Sequence, residues 1–141
     1  MTSRIQIASA SDDVARCFDV MHELRPHLTQ ESFLAQVARQ QAQGWQMAYL
    51  ECDGAVRSVT GYRLIENLAW GRILYVDDLV TRGADHGGGF GSQMLDWLIA
   101  QARQHQCDQF HLDSGVQRFG AHRFYLHKGM DITCHHFAMK L

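Results

Sequence analysis

Apolar and polar positions along this chain follow periods that predict its elements in order. Between Arg4 and Ala8, Ile5 and Ile7 alternate with polar neighbours, the mark of a short strand. Val14, Cys17, Phe18 and Met21 then recur at helical spacing, with Ser9 or Ser11 available as N-cap and Asp12 and Asp13 in the first turn. That helix should stop near Arg25, because Pro26 disfavours helical geometry in the residue before it. A second helix is predicted after Thr29, which with Ser32 offers a cap; Phe33, Leu34 and Val37 form its apolar side and Gly44 closes it. Trp45 to Glu51 and Ala55 to Leu64 read as strands joined at Asp53-Gly54, a strong hairpin signal. Gly61 within the second marks a bulge or a close approach, and Ile65 to Gly71 reads as a connection.

The stretch from Arg72 to His105 organises the rest. Ile73, Leu74, Tyr75, Val76, Leu79 and Val80 suit a central strand, Arg72 to Thr81, buried on both faces. Asp77 and Asp78 interrupt it, and two adjacent acids in a core strand need an explanation. Gly87, Gly88, Gly89 and Gly91 follow; glycines let backbone N–H groups converge on an anion because no Cβ blocks the approach. Phe90, Met94, Leu95, Leu98 and Ala102 then fall on one face of a helix reaching about Gln106. A glycine turn at a helix N-terminus is a phosphate cradle, here read as one for a cofactor pyrophosphate. A P-loop would need Lys and Ser/Thr directly after its last glycine, and a dinucleotide fingerprint fails at its third glycine, so neither motif applies.

Gln109 to Asp113 is a further short strand, Arg118 to His127 a helix closed by Gly129, and Ile132 to Leu141 one last strand or a pair of short ones. The order predicts one α/β (α+β) domain over residues 1–141, a mixed sheet of six to seven strands flanked by about four helices. Composition narrows its class. Apolar residues at 46% and charged ones at 20% place it among ordinary soluble globular chains. A net charge of −2 argues against nucleic acid as main partner. No apolar run reaches the ~18 residues of a membrane span, and the first residues lack a signal-peptide core, so a cytoplasmic location is expected. Cys17, Cys52, Cys107 and Cys134 contain no CxxC pair and read as reduced thiols. The nine histidines include no HExxH and no Cys/His cluster, so no metal is expected.

Two motifs make the chain resemble the GNAT superfamily of N-acetyltransferases, which use acetyl-CoA. His86-Gly87-Gly88-Gly89-Phe90-Gly91 looks like the family's turn of Arg or Gln, two residues, Gly, one residue, then Gly or Ala, with His86 in the Arg/Gln place. Ala121 to Met130, AHRFYLHKGM, is similar to the family's A-x-x-F-Y-x-x-x-G-F, with Met130 for Phe; Arg118 stands where Asn is usual. The resemblance implies a mostly antiparallel sheet whose central strands splay, with pantetheine in the gap. It implies that the backbone of Leu79, Val80 and Thr81 contacts pantetheine and thioester. It also implies that His86, Gly87, Gly88, Gly89, Phe90, Gly91 and Ser92 form the pyrophosphate site, and that Tyr125 protonates or hydrogen-bonds the departing thiolate.

Acetyl transfer to an amine also needs a group to take the amine proton. Asp78 and Asp77 are the candidates, Asp78 ahead; alternation puts one toward the cleft and the other into a cap, turn or ion pair. Glu66 and a proton relay through His111 stand behind them. Arg25 could meet an acidic substrate group but reads more simply as solvated. The function expected is an acetyl-CoA-dependent N-acetyltransferase acting on a small-molecule or peptide amine by direct attack on the thioester, without membrane or nucleic acid. Its acceptor pocket would involve the first two helices and the loop around Ile65–Gly71, and exposed C-terminal strands leave room for a homodimer. The rival readings are a catalytically silent acyl-CoA-binding module and an α/β interaction domain.

Overall fold

The computed structural model describes residues 2–141. Its elements are β1 (Ser3–Ile7), α1 (Ser11–Arg16), α2 (Phe18–Leu24), α3 (Gln30–Ala42), β2 (Trp45–Cys52), β3 (Ala55–Asn67), β4 (Gly71–Thr81), α4 (Phe90–Gln104), β5 (Gln109–Leu112) and α5 (Phe119–His127). Among the described residues five strands lie in one sheet in sequence order, and the pairs β1–β2, β2–β3 and β3–β4 are antiparallel. The chain forms two compact units, one through His111 and one from Leu112 to Leu141.

In the first unit the sheet is covered on both faces, which is why β2 is buried almost continuously. Met47, Tyr49 and Val59 pack in one cluster with Val14, Val20, Met21, Phe33 and Val37 from the first three helices. On α4, Phe90, Met94, Leu95, Leu98 and Ala102 are its buried residues, the face that the helical period marks out. Trp97 of this helix sets its ring edge-on to Tyr62 of β3 at 5.9 Å. Asp53 and Gly54 both take positive φ, 53° and 75°, the geometry of the tight hairpin turn their pairing signals.

Local chemistry decides most of the ends. Thr29 caps α3 in a reciprocal capping box: Ser32 N donates to Thr29 Oγ1 at 3.1 Å, and Thr29 N donates to Ser32 Oγ at 2.9 Å. Thr29→Ala should therefore lower stability by about 1 kcal/mol, read as a shifted urea midpoint at unchanged slope. In the second unit α5 ends in a Schellman turn, with Gly129 at φ 91°, Gly129 N donating to Leu126 O and Met130 N to Tyr125 O.

Several expectations need correction. The predicted first helix is two, because Cys17 N bonds three residues back to Val14 O and its thiol turns onto Asp13 O at 3.3 Å; among the described residues five α-helices result, where about four were expected. Neither Ser9 nor Ser11 caps it: Ala10 is the N-cap and makes no side-chain bond. Ile65 to Asn67 are not loop but strand, paired with Ile73 to Gly71, which shortens the connection. The sheet has five strands among the described residues rather than six to seven, since the segment from Ile132 to Leu141 carries neither strand nor helix. Ile132, Phe137, Met139 and Leu141 of this segment are exposed. Among the described residues no helix is long and apolar enough to cross a membrane.

Candidate active site

β4 changes character half-way. Ile73, Leu74 and Val76 are buried, and from Asp77 to Thr81 the strand is only half-covered. The change coincides with a register shift: Tyr62 pairs with Val76 and Gly61 with Asp78, leaving Asp77 as the extra residue of a β-bulge. A bulge re-aims side chains, so the two acids need not obey simple alternation. Both are ion-paired. Asp77 Oδ2 accepts from Arg63 Nε at 2.9 Å and Nη2 at 2.7 Å. Asp78 Oδ1 accepts from Arg25 Nε at 2.9 Å, while Arg25 Nη2 donates to the Asp77 carbonyl at 3.1 Å.

Of the two, Asp78 faces a cleft. The cleft holds about 130 Å³ and is walled by Met21, Leu28, Phe33 and Val37, with Arg25, Trp45 and Asp78 among its polar lining. Burial pushes the Asp78 carboxyl above its ordinary value of 3.8, the Arg25 guanidinium pulling the other way and Asp77 adding to the rise. Asp77 is absent from the lining. Glu66 is exposed and sits opposite Arg72 on β3. His111 stacks on Trp70 with ring centres 4.0 Å apart. The pair Asp77 and Asp78 is thus divided as a cleft carboxylate and a structural ion pair.

Beyond Asp78, Leu79, Val80 and Thr81 continue β4 opposite Thr60, Val59 and Ser58. Two buried hydroxyls fix this end: Thr60 Oγ1 donates to Asp78 O at 2.7 Å and Ser58 Oγ to Val80 O at 2.9 Å. The strand gives way to a 3-10 turn, Gly83–Asp85, held from both sides. Asp85 takes Arg82 Nε at 2.7 Å and Arg57 Nη1 at 3.1 Å, and Glu23 Oε1 of α2 accepts Gly83 N at 2.8 Å. Next comes the glycine run. Gly87 and Gly89 take φ of 85° and 84°, and a Cβ at either would meet nothing within 4 Å, so the surface they present is open backbone. Gly89 is the N-cap of α4, and Gln93 N is bonded to Gly89 O. Helix geometry then leaves the amides of Phe90, Gly91 and Ser92 without intrahelical acceptors. Gly91 lies so close to β4 that a Cβ would sit 3.2 Å from Thr81 Oγ1. His86 is exposed, and its Nε2 lies 3.0 Å from Thr81 O.

Four neighbours complete the site, of which Arg63 and Trp45 carried no sequence signal. Arg25, taken as solvated, is the partner of Asp78; Arg63 holds Asp77; Glu23 ties α2 to the turn; Trp45 lines the cleft. Arg25 and Asp78 are 53 positions apart, and nothing local to either announces the other. Among the described residues, no group of three His, Cys, Asp or Glu side chains is gathered as a metal site.

The sequence profile of the acetyltransferase (GNAT) family matches residues 8–130. An uncharacterized N-acetyltransferase, YhdJ of Bacillus subtilis, is 31% identical over 121 residues, 85% of each chain. The chain belongs to the GNAT acetyltransferase family. Solved structures share the fold at low identity. The aminoglycoside N-acetyltransferase AAC(6')-Iy, solved with a bisubstrate analogue of CoA, gives a TM-score of 0.86 at 10% identity over 100% of this chain and 99% of that one. A transcriptional regulator from Bacillus halodurans C-125 gives 0.84 at 18% identity, over 99% and 100%. Family membership supports acetyl transfer in general, and the mixed α/β architecture with one sheet is that of the fold.

Tyr125 belongs to the second GNAT motif and lies on α5, in the unit from Leu112 to Leu141. Its ring centre is 5.4 Å from that of Phe124. Burial raises its phenol above the ordinary 10.0, with Arg118 opposing, so the hydroxyl keeps its proton at neutral pH.

Proposed function

We propose that this chain is an acetyl-CoA-dependent N-acetyltransferase that moves an acetyl group to a primary amine of a small molecule or peptide. The observation that carries this reading is the open backbone at the N-terminus of α4, placed directly after a bulged strand whose carboxylate faces a cleft. The turn suits a diphosphate: two glycines without steric cover, three unpaired helix amides and the positive end of the helix dipole converge there. Gly87, Gly88, Gly89, Phe90, Gly91 and Ser92 would hold the pyrophosphate of CoA through main-chain N–H groups. His86, already bonded to Thr81 O, would brace the turn rather than reach the phosphates with its side chain. CoA supplies the activated thioester carbonyl and a thiolate leaving group.

The other parts follow from this. A neutral amine attacks the thioester carbonyl carbon, the C–N bond forms and the C–S bond breaks. Asp78 takes the ammonium proton, directly or through a water, and its raised pKa makes it a better base than an ordinary carboxylate. An N–H of Leu79 or Val80 polarises the carbonyl as charge builds on its oxygen, with the Thr81 backbone alongside. Tyr125 gives its proton to the sulfur. Arg25 orients Asp78, and the Asp77–Arg63 pair fixes the bulge.

The test is an acceptor screen read by release of free CoA thiol, run beside thermal shift with acetyl-CoA. Stabilisation by acetyl-CoA with thiol release on adding an amine is expected. Stabilisation without release from any amine would instead make the chain a silent acyl-CoA-binding module, and no stabilisation at saturating ligand would end the reading, since a ligand at 100 times its Kd adds about 2.7 kcal/mol. The role of Asp78 has its own signature. Ionised Asp78 accumulates as pH rises, so kcat should climb with pH along an acid limb centred above 3.8. In Asp78→Asn that limb should vanish and the remaining rate be lower by about 10²-fold or more.

A further inference from the structure

The ion pair that lines the cleft leaves one atom of each partner unused. Arg25 sends Nε and Nη2 to the same oxygen, Asp78 Oδ1, at 2.9 Å each, and Nη2 also donates to Asp77 O at 3.1 Å. Its Nη1 has no acceptor among the described residues, and the side chain is 41% exposed. Asp78 Oδ2 accepts no hydrogen bond there either, yet it is not sealed: among the described residues the buried side-chain polar atoms without partners are Trp45 Nε1 and Ser114 Oγ. Arg25 and Asp78 line the same cleft. A spare cationic donor and a spare anionic acceptor thus stand beside each other, fixed by the bond between their other atoms. Asp77, the adjoining acid, is neutralised by Arg63 through two contacts.

Resting on the acetyltransferase reading, we propose that the acceptor is a free α-amino acid with an uncharged side chain, its ammonium on Asp78 Oδ2 and its carboxylate on Arg25 Nη1. In such a molecule both charges hang on one carbon. Laid against the Arg25–Asp78 pair they alternate in sign around the contact, and each meets an opposite charge. A simple amine would satisfy Asp78 and leave Nη1 bare, and it would add a charge to a pair that is already neutral; the zwitterion adds none. A diamine would set its second cation against Arg25, and a peptide N-terminus lacks the carboxylate at this place. The rest of the lining suits the side chain. Met21, Phe33 and Val37 are buried and give it apolar depth, with Leu28 half-buried beside them. His27 and Gln36 are exposed and Gln40 is half-buried, so the polar part of this lining is the part nearer solvent. Gln36 Nε2 donates to Gln40 Oε1 at 2.9 Å, which leaves the Gln36 carbonyl and the Gln40 amide nitrogen for a polar side-chain end. Beyond the ion pair the lining holds no Asp, Glu, Lys or Arg, hence the uncharged side chain. Arg25 is then a substrate-binding residue as well as the partner that positions Asp78.

The experiment uses matched sets: leucine, methionine, phenylalanine and glutamine, each beside its carboxamide and its decarboxylated amine, with glutamate as the charged control. They are titrated calorimetrically onto the protein in the presence of CoA, and kcat/KM is read by thiol release from acetyl-CoA. The best of the four amino acids should bind about tenfold or more tighter than both its analogues, as one hydrogen bond between charged groups provides, and tighter than glutamate. In Arg25→Gln its preference over the decarboxylated amine should fall to near unity, whatever happens to absolute affinity; an Arg25 that only positions Asp78 would weaken both ligands alike. Amines or carboxamides that bind the wild type as well as every amino acid overturn the proposal without any variant. So do a glutamate that binds best, a preference that survives in Arg25→Gln, and an absence of binding across the whole panel. Calorimetry separates the two readings. An amino-acid preference without turnover upholds the pocket and removes the acetyltransferase, and turnover without the preference does the reverse.

Discussion

Gly61→Ala should unfold at a clearly lower urea concentration than the parent, a loss of about 1–3 kcal/mol, and should bind amines poorly at the same time. The added methyl would lie 2.1 Å from Trp45 Cζ2, 2.6 Å from Cε2 and 2.8 Å from Asp78 Oδ2. None of these atoms yields easily. The indole is buried and packed in the core cluster, and Asp78 is tethered to Arg25. Gly61 also pairs with Asp78 at the bulge, so a shift of either strand disturbs the register there. Stability and acceptor binding are thus coupled through one missing side chain. A variant with parental stability and parental amine affinity would show that Trp45 and Asp78 do not share the space over Gly61.

Tyr125→Phe should keep the fold and the affinity for acetyl-CoA while kcat falls by about 10²-fold or more. The substitution removes one hydroxyl and leaves the ring that contacts Phe124. What is lost is a proton donor. Burial raises the phenol above 10.0, so at neutral pH it is fully protonated and can donate to a departing thiolate; an ionised phenol could not. The sign gives a second check: activity that depends on the Tyr125 proton should decline only on the alkaline side, above that ordinary value. An unchanged kcat in Tyr125→Phe would leave the residue a packing tyrosine and move the thiolate's proton source elsewhere. The prediction rests on the motif from Ala121 to Met130, and it is independent of the Gly61 result, which concerns the first unit.

Where the sequence could be read, it was read through local rules. The period of Phe90, Met94, Leu95, Leu98 and Ala102 found the buried face of α4 because helical spacing is a property of the chain itself. Thr29 with Ser32, Asp53 with Gly54, and Gly129 after α5 were legible for the same reason: caps and turns are settled within a few residues. Gly61 announced a bulge or close contact, and both are present. The errors arose where locality ended. The segment from Ile132 to Leu141 has a strand-like composition, but a strand exists only where another pairs with it, and it carries none. Cys17 looked like mid-helix because its spacing is helical, although its hydrogen bonds tighten the turn and split the element.

By itself the sequence determined the order of strands and helices from α3 through α5, the glycine turn ahead of α4, and the family through two short motifs. These are encoded in neighbouring residues and need no partner to be expressed. Only the tertiary structure decided which acid faces the cleft, that Arg25 serves Asp78 across 53 positions, and that an indole nitrogen stands unpaired beside it. Ion pairs and cavities arise when distant segments are packed together. Their energies depend on burial and on distance in space, and neither quantity is written in the spacing of residues along the chain.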